Sequence, residues 1–253
     1  LFITIAGNIG TGKTTLTRML AEHYGWKPHF ESVSDNPYLK DFYDDMARWS
    51  FPLQIYFLNH RYKTHREVGL GTSSSIQDRS IYEDCHIFAR NLFESGKMEE
   101  RDYRNYKDLY EEMIKHLPPP DLMIYLRKSL PRLVQQIRQR GREFEQNIPE
   151  DYLSCLNRYY EDWIGGYKTG KLLVIDSDEL DFVADLQFAI TAGSCEFTQR
   201  HAAFGLEADI DHGEVVLDAD HAALGDVAAK TTGAAQGFLE QLGEILTHLK
   251  NPF

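Results

Sequence analysis

Apolar positions along the chain follow two alternating rhythms. Leu1–Ala6 is a nearly unbroken apolar run stopped by Gly7, which reads as a buried strand. From Lys13 to Tyr24 the apolar residues shift to helical spacing: Leu16, Met19, Leu20 and His23 share one face, and Gly25 stands just past the end. The same exchange continues down the chain. Residues 29–33 form a second strand candidate, and 37–49 and 53–67 read as two helices, with aromatic and aliphatic residues at helical spacing. A third strand spans about Ser75–Gln77 and leads into Asp78-Arg79-Ser80. Helices are predicted over 83–93 and 102–117, a strand over 122–126, helices over 130–140 and 151–163, and a strand over 172–175. Strands separated by helices imply an α/β fold, with a parallel sheet flanked by helices on both faces.

Near Thr191 the pattern changes, and the chain beyond it is rich in Ala, Gly and Asp. Residues 191–253 carry ten acidic and three basic side chains, a net of −7 out of −12 for the 253-residue chain. The expected organisation is therefore a domain over 1–190 and an acidic extension over 191–253. In the extension, residues 204–210 and 215–219 could pair as a hairpin, and Phe238, Leu242, Ile245, Leu246 and Leu249 form a helical stripe. The acidic balance argues against a nucleic-acid polymer as partner. No apolar run is long enough to cross a membrane. Cys85, Cys155 and Cys195 are few, odd in number and far apart, as expected of reduced thiols in a cytoplasmic protein.

The first strand and helix enclose Gly7-Asn8-Ile9-Gly10-Thr11-Gly12-Lys13-Thr14, which satisfies G-x-x-x-x-G-K-[ST]. Its glycines let successive backbone N–H groups turn toward phosphate oxygens, and the helix adds its positive N-terminal end. Lys13 is expected on the β- and γ-phosphates of ATP, and Thr14 on Mg²⁺. The expected fold is thus a P-loop kinase fold, although the loop alone also suits GTPases and motor ATPases.

Two further features narrow the chemistry. Glu31 lies at the end of the second strand candidate, on the side of a parallel sheet where the phosphate loop lies, so it could take a proton from an attacking hydroxyl. Arg138, Arg140 and Arg142 crowd one segment of an otherwise acidic chain. A shared anion would relieve their repulsion, and an arginine-rich lid over a triphosphate supplies one.

The residues at this point resemble the deoxynucleoside kinase family, in particular its bacterial deoxyadenosine and deoxyguanosine kinases. The resemblance runs from Leu1 to about Phe182 through ordered motifs. They are Gly7–Thr14; Glu31-Ser32-Val33 with Asn36-Pro37-Tyr38-Leu39; Phe42-Tyr43; Trp49-Ser50-Phe51 with Gln54; Asp78-Arg79-Ser80-Ile81-Tyr82-Glu83-Asp84; Arg140-Gly141-Arg142 with Glu145; and Asp181-Phe182. It implies an ATP-dependent transfer to the 5′-hydroxyl of a deoxynucleoside, preferably a purine. Glu31 would be the general base, with Arg79 and Lys13 on the reacting phosphates and Asp78 helping Thr14 place Mg²⁺. Gly7, Asn8, Ile9, Gly10, Thr11, Gly12, Lys13, Thr14 and Thr15 would cradle ATP. Arg138, Arg140 and Arg142 would close over it, and Asp181 and Phe182 would lie beside its adenine. Tyr43 and Glu145 would hold the sugar 3′-hydroxyl. Gln54, Arg61, Asp84 and Phe88 would receive the base. Family members are usually homodimers. The alternatives are a nucleoside monophosphate kinase resembling thymidylate kinase, whose acceptor site calls for Arg rather than a Glu base, and a non-catalytic subunit on the same fold.

Overall fold

The computed structural model describes residues 1–31, 36–142, 145, 148–178, 214–217 and 242–244. β1 (Phe2–Gly7) is buried along its whole length. It lies between β3 (Ser75–Asp78) and β4 (Leu122–Arg127), parallel to both. The sheet order is β2-β3-β1-β4-β5-β6, where β2 is Lys27–His29, β5 is Lys171–Asp176 and β6 is Glu214–Leu217. Successive strands are added first on one side of β1 and then on the other. The ends of β1 and β3 therefore open on a crevice at a topological switch point, where ligands bind in sheets of this kind.

β2 starts earlier than the sequence suggests and ends at His29, so Glu31 follows the strand rather than lying in it. Pro28 is tolerated because β2 is an edge strand, and the missing N–H costs no ladder bond on the open side. The break between the helices expected over 37–49 and 53–67 lies instead at Asp45. α2 (Leu39–Asp44) stops there, and α3 (Met46–Leu70) runs through Pro52. The Asp45 side chain accepts the Arg48 N–H at 3.1 Å, and this cap fixes the start of α3.

After β3 the chain turns through α4 (Ile81–Glu83), a π-helical turn (Asp84–Ala89) and α5 (Arg90–Glu94). Then come α6 (Glu100–Ile114), α7 (Leu130–Arg140) and α8 (Glu150–Ile164). α1 (Lys13–Tyr24) packs Leu16, Met19 and Leu20 against Ile3, Ile5, Ile76, Ile124 and Leu173 on one sheet face. On the other face Met123, Tyr125 and Val174 meet Leu58, Ile87, Tyr106 and Tyr160 of the helical layer. Two segments from the acidic region also enter this architecture. Val215 and Val216 of β6 pair in parallel with Leu173 and Val174, and Leu242 is fully buried in the α1 core. The other arm expected of a hairpin, 204–210, lies outside the described residues, as does most of the predicted helical stripe.

Candidate active site

Strand register brings the two main motifs together. Ile5 pairs with Asp78 and Gly7 with Leu126, so the phosphate loop leaves β1 beside the turn that carries Asp78 and Arg79. Gly10 and Gly12 have φ values of 87° and 97°, a left-handed backbone that favours glycine. A side chain at Gly10 would also meet Ile137 Cγ1 at 2.9 Å, so α7 lies directly against the loop. Lys13 Nζ donates to Asn8 O at 2.8 Å, and Thr14 Oγ1 donates to Asp78 Oδ2 at 2.5 Å. Asn8 is anchored from below: its Nδ2 donates to Leu153 O at 3.0 Å and Asn157 Oδ1 at 2.6 Å, both on α8. Burial, reinforced by the nearby Arg79 charge, lowers the Lys13 ammonium to about 7.

Above the loop lies an open cavity whose walls include Ile9, Lys13, Thr14, Glu31, Tyr43 and Gln54. Arg61, Arg79, Asp84, Phe88, Arg140, Arg142 and Glu145 line it too. Residues scattered from 9 to 145 thus meet in one place. Glu31 pairs with Arg61 and lies 3.4 Å from Arg79 Nε. Burial disfavours its charge, but Arg79, Arg61 and Lys13 outweigh burial and hold the carboxyl at about 2. Arg61 reaches across to Asp84 Oδ1 at 2.5 Å and lies over the Phe57 ring at 4.7 Å. For Asp84 burial prevails over Arg61, and its carboxyl is pushed up to about 7. Arg79 has φ 68°, the one non-glycine residue with positive φ among the described residues. Such a conformation costs on the order of 1–3 kcal/mol and persists only where surroundings impose it. Its guanidinium lies over the Phe88 ring at 4.7 Å.

Five side chains at the site have polar atoms without a hydrogen-bond partner among the described residues: the acceptors Gln54 Oε1, Asp84 Oδ2 and Asp78 Oδ1, and the donors Arg61 Nε and Arg79 Nε. Gln54 and Asp84 are 3% and 1% exposed, so each forgoes solvent as well. Buried acceptors facing a cavity suit a ligand that brings N–H donors. Tyr43 and Tyr152 close the far wall, and burial raises the Tyr43 phenol well above its ordinary range. Glu145 takes two arginines, pairing with Arg140 and with Arg142 at 3.2 Å.

The chain is matched in known proteins. The family model described as "Deoxynucleoside kinase" covers residues 3–190. The chain belongs to the deoxynucleoside kinase family. Among its relatives, the deoxyadenosine/deoxycytidine kinase of Bacillus subtilis (strain 168) is 42% identical over 185 residues, which are 72% of this chain and 85% of that protein. The deoxyadenosine kinase of Lactobacillus acidophilus is 38% identical, over 73% of this chain and 89% of its own. Among solved structures, deoxyadenosine kinase from M. mycoides with bound dATP is 30% identical, with TM-score 0.68, over 77% of this chain and 100% of that one. This deoxynucleoside kinase is accordingly an enzyme that phosphorylates nucleosides from a nucleotide donor. The monophosphate-kinase and non-catalytic readings of the sequence give way to this family assignment.

Within the kinase, some predicted residues stand apart from the cavity. Arg138 is two positions from Arg140, on a different side of α7, and its exposed side chain lies 3.6 Å from Glu150. Asp78 lies just below the cavity floor, tied to Thr14. Asp181 and Phe182 lie outside the described residues. Sequence reading missed Phe57 and Tyr152 in the wall, because an aromatic at helical spacing looks the same whether it faces a core or a ligand. It also passed over Glu83. Ser80-Ile81-Tyr82-Glu83 reads S-x-x-E, and the two residues form a capping box at the start of α4.

Proposed function

We propose that the kinase transfers the γ-phosphoryl group of ATP to the 5′-hydroxyl of a purine deoxynucleoside, with Glu31 receiving the hydroxyl proton. The observation that carries this reading is the placement of Glu31, in one cavity with Lys13 of the phosphate loop, Arg79, and the unsatisfied polar atoms of Gln54 and Asp84. An acceptor hydroxyl delivered between Glu31 and the loop would meet the phosphate in line.

The loop fits the donor. Gly10 and Gly12 supply the left-handed turns of a phosphate cradle, α1 begins at Lys13, and no acidic residue occupies its first turn to compete with phosphate. Thr14 and Asp78 fit Mg²⁺: both offer hard oxygens, and Asp78 Oδ1 is buried and unpartnered. Mg²⁺ held there would supply positive charge to offset the charge that develops on the transferring phosphate. A carboxylate held at about 2 is a weak base. It suffices here because a loose phosphoryl transition state asks mainly for positioning and charge stabilisation. Arg61, shared between Glu31 and Asp84, turns toward Asp84 as the hydroxyl arrives, which relaxes its hold on Glu31. Tyr43 and Glu145 take the 3′-hydroxyl, and Arg140 and Arg142 pass from Glu145 to the donor phosphates.

Gln54 Oε1 and Asp84 Oδ2 are paired acceptors for an exocyclic amino group, which adenine carries and thymine lacks. Phe88 supplies a ring face for stacking. A cytoplasmic homodimer completes this reading. The direct test is Glu31→Gln, which keeps size and removes the proton acceptor. Turnover of deoxyadenosine falls by about 10²–10⁴-fold while ATP still binds, measured by steady-state kinetics and nucleotide titration. Wild-type turnover by the Gln variant would refute the role.

A further inference from the structure

Behind Arg79, away from the cavity, lies a closed polar knot. The Glu83 carboxylate is fully buried and accepts from three chain segments. Its Oε1 receives Gly7 N–H at 3.3 Å, Arg79 Nη1 at 3.2 Å and the Tyr160 hydroxyl at 2.7 Å. Its Oε2 receives Ser80 N–H at 2.7 Å and Ser80 Oγ at 3.2 Å. Tyr160 is fully buried as well. Its oxygen accepts from Arg79 Nη1 at 2.7 Å, and its single proton faces two acceptors, Glu83 Oε1 and Gly7 O at 2.9 Å. Gly7, the first residue of the phosphate loop, is thus held through its N–H by Glu83 and through its carbonyl by Tyr160. Both holders also grip the same nitrogen of Arg79.

We propose that Glu83 and Tyr160 are a positioning pair, which fixes the Arg79 guanidinium relative to the phosphate loop and so sets the spacing between donor phosphate and acceptor hydroxyl. This rests on the reading above that Arg79 acts on the transferring phosphoryl group. Three observations point beyond simple core packing. The ring of Tyr160 already stacks on Tyr125 with centroids 5.6 Å apart, so phenylalanine would fill the same space. Among the described residues the hydroxyl's hydrogen bonds go to Gly7, Arg79 and Glu83, all at the junction of the phosphate loop and the turn after β3. And Arg79, whose left-handed backbone places it in this turn, has Glu31 on one side at 3.4 Å and the knot on the other. Without the hydroxyl, Arg79 stays buried and paired with Glu83, but one of the two contacts that hold its Nη1 is gone. α8, which carries Tyr160, also anchors Asn8 of the loop through Asn157 and Leu153. Loop, arginine and helix therefore form one unit.

Sub-ångström misplacement of a reacting group lowers the chemical step without weakening ground-state binding, so Tyr160→Phe lowers kcat by about 10–100-fold with both KM values within about threefold. Glu83→Gln, whose amide leaves one of the donor sets facing a donor, shows the same split. The decisive measurement is a double-mutant cycle with Arg79→Lys, using ATP and deoxyadenosine. If Tyr160 acts through Arg79, adding Tyr160→Phe to the Lys variant costs less than about threefold more. Multiplicative losses, an unchanged kcat in Tyr160→Phe, or a Tyr160→Phe chain that fails to fold would each overturn the proposal. Full turnover by Arg79→Lys alone would instead count against the role of Arg79 itself, whatever Tyr160 does.

Discussion

At the scale of single residues, the cavity sets two carboxyls in opposite states. Glu31 and Asp84 share Arg61, yet the first is held at about 2 and the second is raised to about 7. The difference lies in their other neighbours. Glu31 also faces Arg79 and Lys13, whereas burial dominates at Asp84. Oδ1 of Asp84 is taken by Arg61, so a proton added there sits on the unpartnered Oδ2 and turns an acceptor into a donor. A base amino group then meets a donor. The kcat/KM for deoxyadenosine, measured at saturating ATP, therefore falls as pH drops through about 7, and Asp84→Asn abolishes that limb. Glu31 contributes nothing to it, since it stays ionised far below. Stability follows opposite signs. The contribution of Glu31 is complete above its ordinary 4.5 and is lost as pH falls toward about 2. Asp84 opposes folding increasingly as pH rises from its ordinary 3.8 to about 7.

At the scale of elements, we propose that the arginines at the end of α7 change partners during the reaction. Arg140 ends α7 and Arg142 follows the Gly141 cap, which has φ 68°. Both guanidiniums rest on Glu145, one of the residues proposed to hold the sugar. Charge that builds on a transferring phosphate draws arginines more strongly than the ground state does. Arg140→Ala and Arg142→Ala each lower kcat by about 10–10³-fold, with a smaller change in deoxynucleoside affinity, as steady-state kinetics and equilibrium binding will read. An Ala variant that lost only nucleoside binding would remove the lid from the mechanism. The π-helical turn makes a related point. It widens the helix at Asp84–Ala89 and keeps Asp84 and Phe88, four residues apart, on the cavity wall. Hydrophobic periodicity over 83–93 predicts a helix there, but it carries no signal for the change of winding.

At the scale of the whole molecule, two described segments beyond residue 190 join the kinase core. The family match ends at 190, yet β6 adds a strand beside β5, and Leu242 sits fully buried among Ile3, Leu16, Leu20 and Leu173. We infer that this region stabilises the sheet rather than hanging free of it. Leu242→Ala then lowers unfolding free energy by about 2–5 kcal/mol in denaturant titration. A free appendage would leave the midpoint unchanged. Among the described residues no helix is long and apolar enough to cross a membrane.

The sequence by itself determined what depends on local order. G-x-x-x-x-G-K-[ST] between an apolar run and an amphipathic helix specifies a phosphate loop, because the backbone turns and the helix start are made by neighbouring residues. Strand and helix alternation specifies the parallel sheet for the same reason. The motifs around Glu31, Arg79 and Glu145 pointed to the family through their order along the chain. Only the tertiary structure decided how distant residues act on one another. Glu31 and Asp84 have the same carboxyl group in sequence, and their opposite shifts come from Arg61, Arg79 and Lys13 converging from separate elements. The shift of a helix start from residue 53 to Met46 goes with the Asp45 cap, which hydrophobic spacing does not signal. The knot of Gly7, Arg79, Glu83 and Tyr160 joins positions up to 153 residues apart, and no local pattern encodes such a contact. It forms because parallel pairing of β1 with β3 places a carboxylate, a guanidinium and a glycine backbone within hydrogen-bonding reach of one helix.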